Sequence, residues 1–190
     1  MPCSTGDTTF DEMLGGGIPD GRTLLVRGQS GVGKSRLGVQ FLESGLDADE
    51  DCLYVTTDEP LGVVRTSLAP PDSAGLRIAS AHREEGSDGI RYETADDAET
   101  IPYTSLIDRL SDPDWDRIVV DGAPGLAHLA PDRERGRQGL FHLLERLDAH
   151  DATALMTATS DGPSRSRRWT SPWRPRSRSG ARWASPGAPS

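Results

Sequence analysis

Lysine is nearly absent from this 190-residue chain: of its 21 basic residues twenty are arginine, and the single lysine is Lys34. Cysteine is scarce too. Cys3 and Cys52 cannot build a zinc site by themselves, and neither a CxxC pair nor a secretory leader accompanies them, so a reducing, cytoplasmic home is expected. Aromatic residues make up only 5% of the chain, and apolar runs such as Thr23 to Val26 and Ile118 to Val120 fall far short of the ~20 residues of a membrane span. The expectation is a soluble protein with no membrane partner, long enough for one domain with a sizeable core.

Acid is missing from one end. All 30 Asp and Glu residues lie at or before Asp161, where fourteen basic residues stand against them for a formal balance of −16. Residues 162 to 190 carry seven arginines and no acid. Two compositions imply two regions, a folded domain over 1–161 and a basic tail over 162–190. An acidic, lysine-poor surface suits a salty cytoplasm, because carboxylates stay hydrated and salt screens their repulsion. A halophilic source is the expectation, with an ordinary acidic protein from a GC-rich genome as the alternative. So acidic a body argues against non-specific nucleic-acid binding.

Along the chain, apolar periodicity switches between strand and helix. Thr23 to Gly28 reads as a buried strand, and Leu37, Phe41, Leu42 and Leu46 mark an amphipathic helix after it. Cys52 to Thr57 is a second strand, followed by a helix with Leu61, Val64 and Leu68 on one face. Leu76 to Ser80 is a short third strand, and residues 84–99 form a loop or a sheet edge. Leu106, Ile107 and Leu110 give a short helix, Arg117 to Asp121 a strand, Leu140 to Leu147 a periodic helix and Thr153 to Thr159 the last strand. Such alternation predicts an α/β fold with a mostly parallel sheet flanked by helices.

The lone lysine sits in GQSGVGKS, between a strand and a helix. Gly28, Gly33, Lys34 and Ser35 fit G-x-x-x-x-G-K-[ST], the P-loop or Walker A pattern. Glycines let the loop of Gly28, Gln29, Ser30, Gly31, Val32 and Gly33 turn backbone N–H groups toward phosphate oxygens, and Lys34 and Arg36 continue that wall. Lys34 would reach the β and γ phosphates of ATP as a compact charge, which a rigid guanidinium fits poorly. Ser35 would ligate Mg²⁺. Asp121, closing the run Ile118 to Val120, is the natural Walker B acid for the same ion, while a plain Asp-Gly turn with Gly122 is the structural alternative. Asp58 and Glu59 end the next strand. Either could polarise the attacking water, or both could simply complement a helix that starts at Pro60.

With these residues in hand, the chain resembles the RecA superfamily and, within it, the KaiC-like branch of ATPases. The lead-in TGDTTFDEMLGGGIPDG is similar to that branch's segment before the P-loop, through Phe10, Asp11, Leu14, Gly15 to Gly17, Ile18, Pro19 and Gly21. CLYVTTDEP also resembles the family's strand ending in paired acids before a proline. That likeness implies a catalytic role for Glu59 or Asp58, although the family has two glutamates there. It covers Ser4 to about Ser160, and implies a RecA-like P-loop core with Thr159 or Ser160 where relatives carry a polar γ-phosphate sensor. It further implies that the last strand lies between the P-loop and Walker B strands, and that the outer side of the P-loop strand is an open edge.

Beyond Ser160 the likeness stops. Three of the four tryptophans fall in residues 162 to 190, which show no apolar periodicity, so the tail is expected to be disordered. It reads either as a shifted frame or as a basic segment able to stack on single-stranded nucleic acid. The functional expectation is Mg²⁺-dependent ATP binding with slow hydrolysis, coupled to a regulatory event in an unidentified protein partner or a homo-oligomer. A non-hydrolysing switch is one alternative. The other is a DNA-dependent ATPase using Arg133, Arg135 and Arg137, but these alternate with Asp132 and Glu134, as on a solvated charged face.

Overall fold

Residues 2–68, 72–84 and 88–160 are described by this computed structural model, and the compact unit they build ends at Ser160. The expected tail, 162–190, lies outside them. The order of elements is α1 (Thr8–Met13), β1 (Thr23–Gly28), α2 (Lys34–Leu46), β2 (Cys52–Thr56), α3 (Leu61–Leu68), β3 (Leu76–Arg83), β4 (Ile90–Thr94), β5 (Ala98–Ile101), α4 (Tyr103–Leu110), β6 (Arg117–Asp121), α5 (Ala123–His128), α6 (Arg133–Ala149) and β7 (Thr153–Thr159).

The strands form one seven-stranded sheet in the order β1-β7-β6-β2-β3-β4-β5. From β1 to β3 all neighbours are parallel, joined by helices long enough to cross back over the sheet. The last strand, β7, therefore lies between β1 and β6. Residues 84–99, expected as a loop or an edge, supply the edge. There β3, β4 and β5 run antiparallel, and the β4–β5 turn closes with the Thr94 N–H donating to the Asp97 carbonyl at 2.7 Å.

Alternation along each strand divides the core into two layers. Leu53, Val55, Ile118, Val120, Ala154 and Met156 face α4, α5 and α6, meeting Leu106, Leu110, Leu126, Leu143 and Leu147. Cys52, Tyr54, Val119 and Leu155 face the other way, onto Val39, Phe41 and Leu42 of α2 and Val64 of α3. Every residue of β2 is buried, as a parallel strand covered on both faces requires.

One sequence expectation is corrected. Thr23 to Gly28 is a strand but not a buried one: its residues alternate between exposed and half-buried, and Leu25 is 51% exposed. Among the described residues β1 is an edge strand with β7 on one side only, so Leu24 and Val26 pack against the α2 layer while the opposite face stays open. Of the periodic positions in α6, Leu143 and Leu147 are buried and Leu140 partly so, whereas Phe141 is 62% exposed and Leu144 is also exposed. An ion pair between Arg22 and Asp148 ties the end of α6 to the start of β1, placing this helix beside the same edge.

The lead-in is anchored by charge. Asp11 accepts from Ser4 Oγ at 2.7 Å, Thr5 Oγ1 at 2.6 Å and the Thr5 N–H at 2.8 Å. Arg117, buried at the start of β6, pairs with Glu50 and donates to the carbonyls of Ser4 at 2.8 Å and Phe41 at 3.0 Å. One guanidinium thus ties the lead-in, α2 and the sheet together.

Candidate active site

Strand β1 ends at Gly28, and the chain turns through residues 29–33 into α2. Gly31 at φ +80° and Gly33 at φ +94° adopt left-handed backbone, which a side chain would strain. Gly33 is the N-cap of α2, and no side chain caps that end, so the first N–H groups of a thirteen-residue helix are left to a ligand. Lys34 Nζ donates to the carbonyls of Gly28 at 3.0 Å and Gln29 at 2.8 Å, which holds the ammonium on the loop. Arg36 directs its guanidinium along the helix toward Glu43, 3.8 Å away, so its N–H, rather than its charge, belongs to the loop.

Asp121 stands at the carboxyl end of β6. It accepts from the Tyr54 hydroxyl at 2.6 Å and from Thr157 Oγ1 at 2.5 Å. Ser35, in the first turn of α2, is near enough to act on the same Tyr54 hydroxyl, so the phenol stands between that turn and the acid of β6. Burial, then the neighbouring Asp121 carboxylate, push the Tyr54 phenol far above its ordinary pKa, keeping it a neutral donor. A serine hydroxyl and a carboxylate are the hard oxygen donors Mg²⁺ takes. That ion needs few protein ligands when phosphates and water complete its shell. Among the described residues no group of three His, Cys, Asp or Glu is placed to hold a metal ion. Sequence reasoning missed Tyr54 and Thr157. A polar side chain inside an otherwise apolar strand was the available signal, though it does not say which group that side chain meets.

The paired acids part company at the end of β2. Thr56 Oγ1 accepts from the N–H groups of both Asp58, at 3.3 Å, and Glu59, at 3.2 Å, which fixes the turn. The Asp58 carboxylate is wedged against Gly122 and Gly125, where a Cβ on Gly122 would come within 2.6 Å of Asp58 Oδ2. Thr57 seals that side, donating from its hydroxyl to the Gly122 carbonyl at 2.7 Å and from its N–H to Asp121 at 3.0 Å. Glu59 instead bears on Tyr54, raising its phenol further. Asp58 therefore lies against α5, while Glu59 stands exposed on the same turn.

Thr159 closes β7, and the Ser160 N–H donates to the Gly28 carbonyl at 3.0 Å, beside the start of the P-loop. Arg133, Arg135 and Arg137 lie away from this cluster in the first turns of α6. Arg135 pairs with Asp132 and Arg137 with both oxygens of Glu134, all largely exposed, which is a solvated charged face. No helix among the described residues is long and apolar enough to cross a membrane.

Comparison with known proteins agrees with this geometry. A family model described as "ATPase: KaiC" matches residues 3–169. The circadian clock oscillator protein KaiC of Prochlorococcus marinus is 40% identical over 164 residues, covering 80% of this chain and 32% of that protein. The KaiC of Acaryochloris marina is 29% identical over 161 residues, covering 78% and 30%. A UPF0273 protein of Sulfurisphaera tokodaii is 48% identical over 59 residues, covering 30% and 21%. The chain thus spans about a third of the length of the KaiC relatives it matches.

Proposed function

This chain belongs to the KaiC family of ATPases, and from that premise we propose that it binds ATP with Mg²⁺ and hydrolyses it slowly to ADP and phosphate, with Glu59 as the general base. The loop from Gly28 to Gly33 and the N–H groups of Lys34, Ser35 and Arg36 wrap the phosphates, and Lys34 Nζ leaves its carbonyl acceptors to neutralise the β and γ oxygens. Ser35 and Asp121 hold the ion, whose charge offsets that of the β and γ phosphates. Glu59 accepts a proton from the water that attacks the γ-phosphorus. The bond from that phosphorus to the β–γ bridging oxygen breaks, and ADP leaves with the electron pair. Thr159 or Ser160 reads the γ-phosphate from the end of β7. The reaction is coupled to a regulatory event in a cytoplasmic protein partner, and a second copy of the chain covers the open flank of β1.

The observation that carries the assignment of the base is that the Asp58 carboxylate is held against Gly122 and Gly125, which leaves Glu59, exposed on the same turn, as the paired acid able to reach the water. Glu59→Gln keeps the size of the side chain and removes the base. It should lower kcat by about a hundredfold while ATP is still bound, and Asp58→Asn should retain most turnover. Steady-state phosphate release and nucleotide titration measure both. Full activity in Glu59→Gln would refute the assignment.

A further inference from the structure

One row of polar side chains crosses the sheet at the carboxyl ends of four neighbouring strands. Thr56 on β2 is in register with Ser80 on β3 and with Asp121 on β6, and Thr157 on β7 reaches Asp121 with its hydroxyl. Side chains in register across parallel strands share a face, here the face that carries Tyr54 and α2. Three members of the row are satisfied. Thr56 accepts the N–H groups of Asp58 and Glu59, Asp121 accepts from Tyr54 and Thr157, and Thr157 also accepts the Gly122 N–H at 3.0 Å. Ser80 is the exception.

Its hydroxyl is buried in a residue only 1% exposed, and among the described residues it is the one buried side-chain polar atom without a hydrogen-bond partner. A buried hydroxyl left unpaired is costly, and an alanine at the same strand position would avoid the cost. The hydroxyl thus calls for a partner that arrives with another state of the protein. Glu59 is the group placed to supply it. Its N–H is tethered to Thr56 Oγ1, on the residue in register with Ser80, while its side chain is exposed.

We propose that Ser80 is a positioning residue for hydrolysis: in the ATP-loaded protein its hydroxyl donates to the Glu59 carboxylate and holds it aimed at the attacking water. This rests on Glu59 being the base. The serine never takes up the proton of the reaction; it removes the freedom of a carboxylate on an exposed turn.

The experiment uses the full chain with Ser80→Ala, the near-isosteric Ser80→Cys, Ser80→Thr, Glu59→Gln and the double variant Ser80→Ala/Glu59→Gln. It measures kcat and KM for ATP, binding of ATP with Mg²⁺, and Tm. Ser80→Ala and Ser80→Cys should lower kcat tenfold or more with KM and ATP affinity unchanged and Tm no lower than wild type, and Ser80→Thr, which keeps the hydroxyl, should restore kcat. In the Glu59→Gln background, Ser80→Ala should cost nothing further, because the carboxylate it serves is gone. A kcat within twofold of wild type in Ser80→Ala, or the same tenfold loss with and without Glu59, overturns the proposal. A lower Tm with altered ATP affinity assigns Ser80 to the fold instead. Wild-type turnover in Glu59→Gln overturns the base and Ser80 together, whereas a crippled Glu59→Gln beside a normal Ser80→Ala overturns Ser80 alone.

Discussion

At the scale of single residues, the use of lysine at position 34 alone is explained by what the ammonium touches. Its Nζ sits between two carbonyls of the loop, 3.0 and 2.8 Å away, in a space bounded by glycine backbone. A guanidinium keeps the charge but is planar, larger and forked, so it cannot turn from those carbonyls to a phosphate within the same ring of amides. Lys34→Ala and Lys34→Arg should therefore both weaken ATP binding by about tenfold or more, the second despite its charge. Equilibrium titration with ATP and Mg²⁺ checks this, and wild-type affinity in Lys34→Arg would mean that charge alone suffices. The paired acids make the complementary point. Asp58 and Glu59 are neighbours in sequence with the same charge and are both held by their N–H groups to Thr56, yet Asp58 is set against Gly122 and Gly125 while Glu59 stands exposed.

At the scale of elements, one ionised side chain, Asp11, folds the lead-in on itself and another, Arg117, ties it to the sheet. Burial pushes the Asp11 carboxyl up, but hydrogen bonds from Thr5 and Ser4 outweigh it and hold its pKa below the ordinary value of 3.8. A carboxylate with a depressed pKa stabilises the fold fully above that ordinary value, and the contribution is lost as pH falls through the lower folded-state value. The lead-in should accordingly stay docked at neutral pH and loosen first on acidification below about pH 4. Asp11→Asn should be less stable than wild type at pH 7, and the difference should shrink toward pH 3. Urea unfolding of both proteins across that range measures it, and a constant difference would mean that the hydrogen bonds act without the charge.

At the scale of the whole molecule, apolar surface gathers around one sheet edge. Leu25 is exposed on β1 itself, Met13 and Val32 flank the strand through α1 and the P-loop, and Phe141 and Leu144 are exposed on α6, whose end is tied to Arg22. An unpaired strand with an apolar face is a template for association. The protein should self-associate, and Leu25→Asp should shift it toward the monomer in sedimentation equilibrium. A chain ending at Ser160 should keep its Tm and its ATP binding, since the compact unit closes there. Unfolding of that shorter chain would show that residues 162–190 pack as structure. An unchanged mass in Leu25→Asp would place the contact elsewhere.

What the sequence determined by itself was local. The glycine loop with its lysine, the strand ending in Asp121, the strand ending in DEP and the alternation of the central strands and helices were legible, whereas α1, α5, β4 and β5 were not, because only the former carry clear near-neighbour spacing. The mostly parallel sheet followed from the alternation of strand and helix. Tertiary structure decided which neighbours those local pieces met. Tyr54, Thr157 and Ser80 lie on three separate strands and join Thr56 and Asp121 only through the register of the sheet, a relation that no spacing along the chain encodes. The exposure of β1 was hidden for the same reason. Burial of a strand depends on what lies beside it and over it, so TLLVRG reads as apolar and interior while its place in the order β1-β7-β6-β2-β3-β4-β5 leaves one flank open among the described residues.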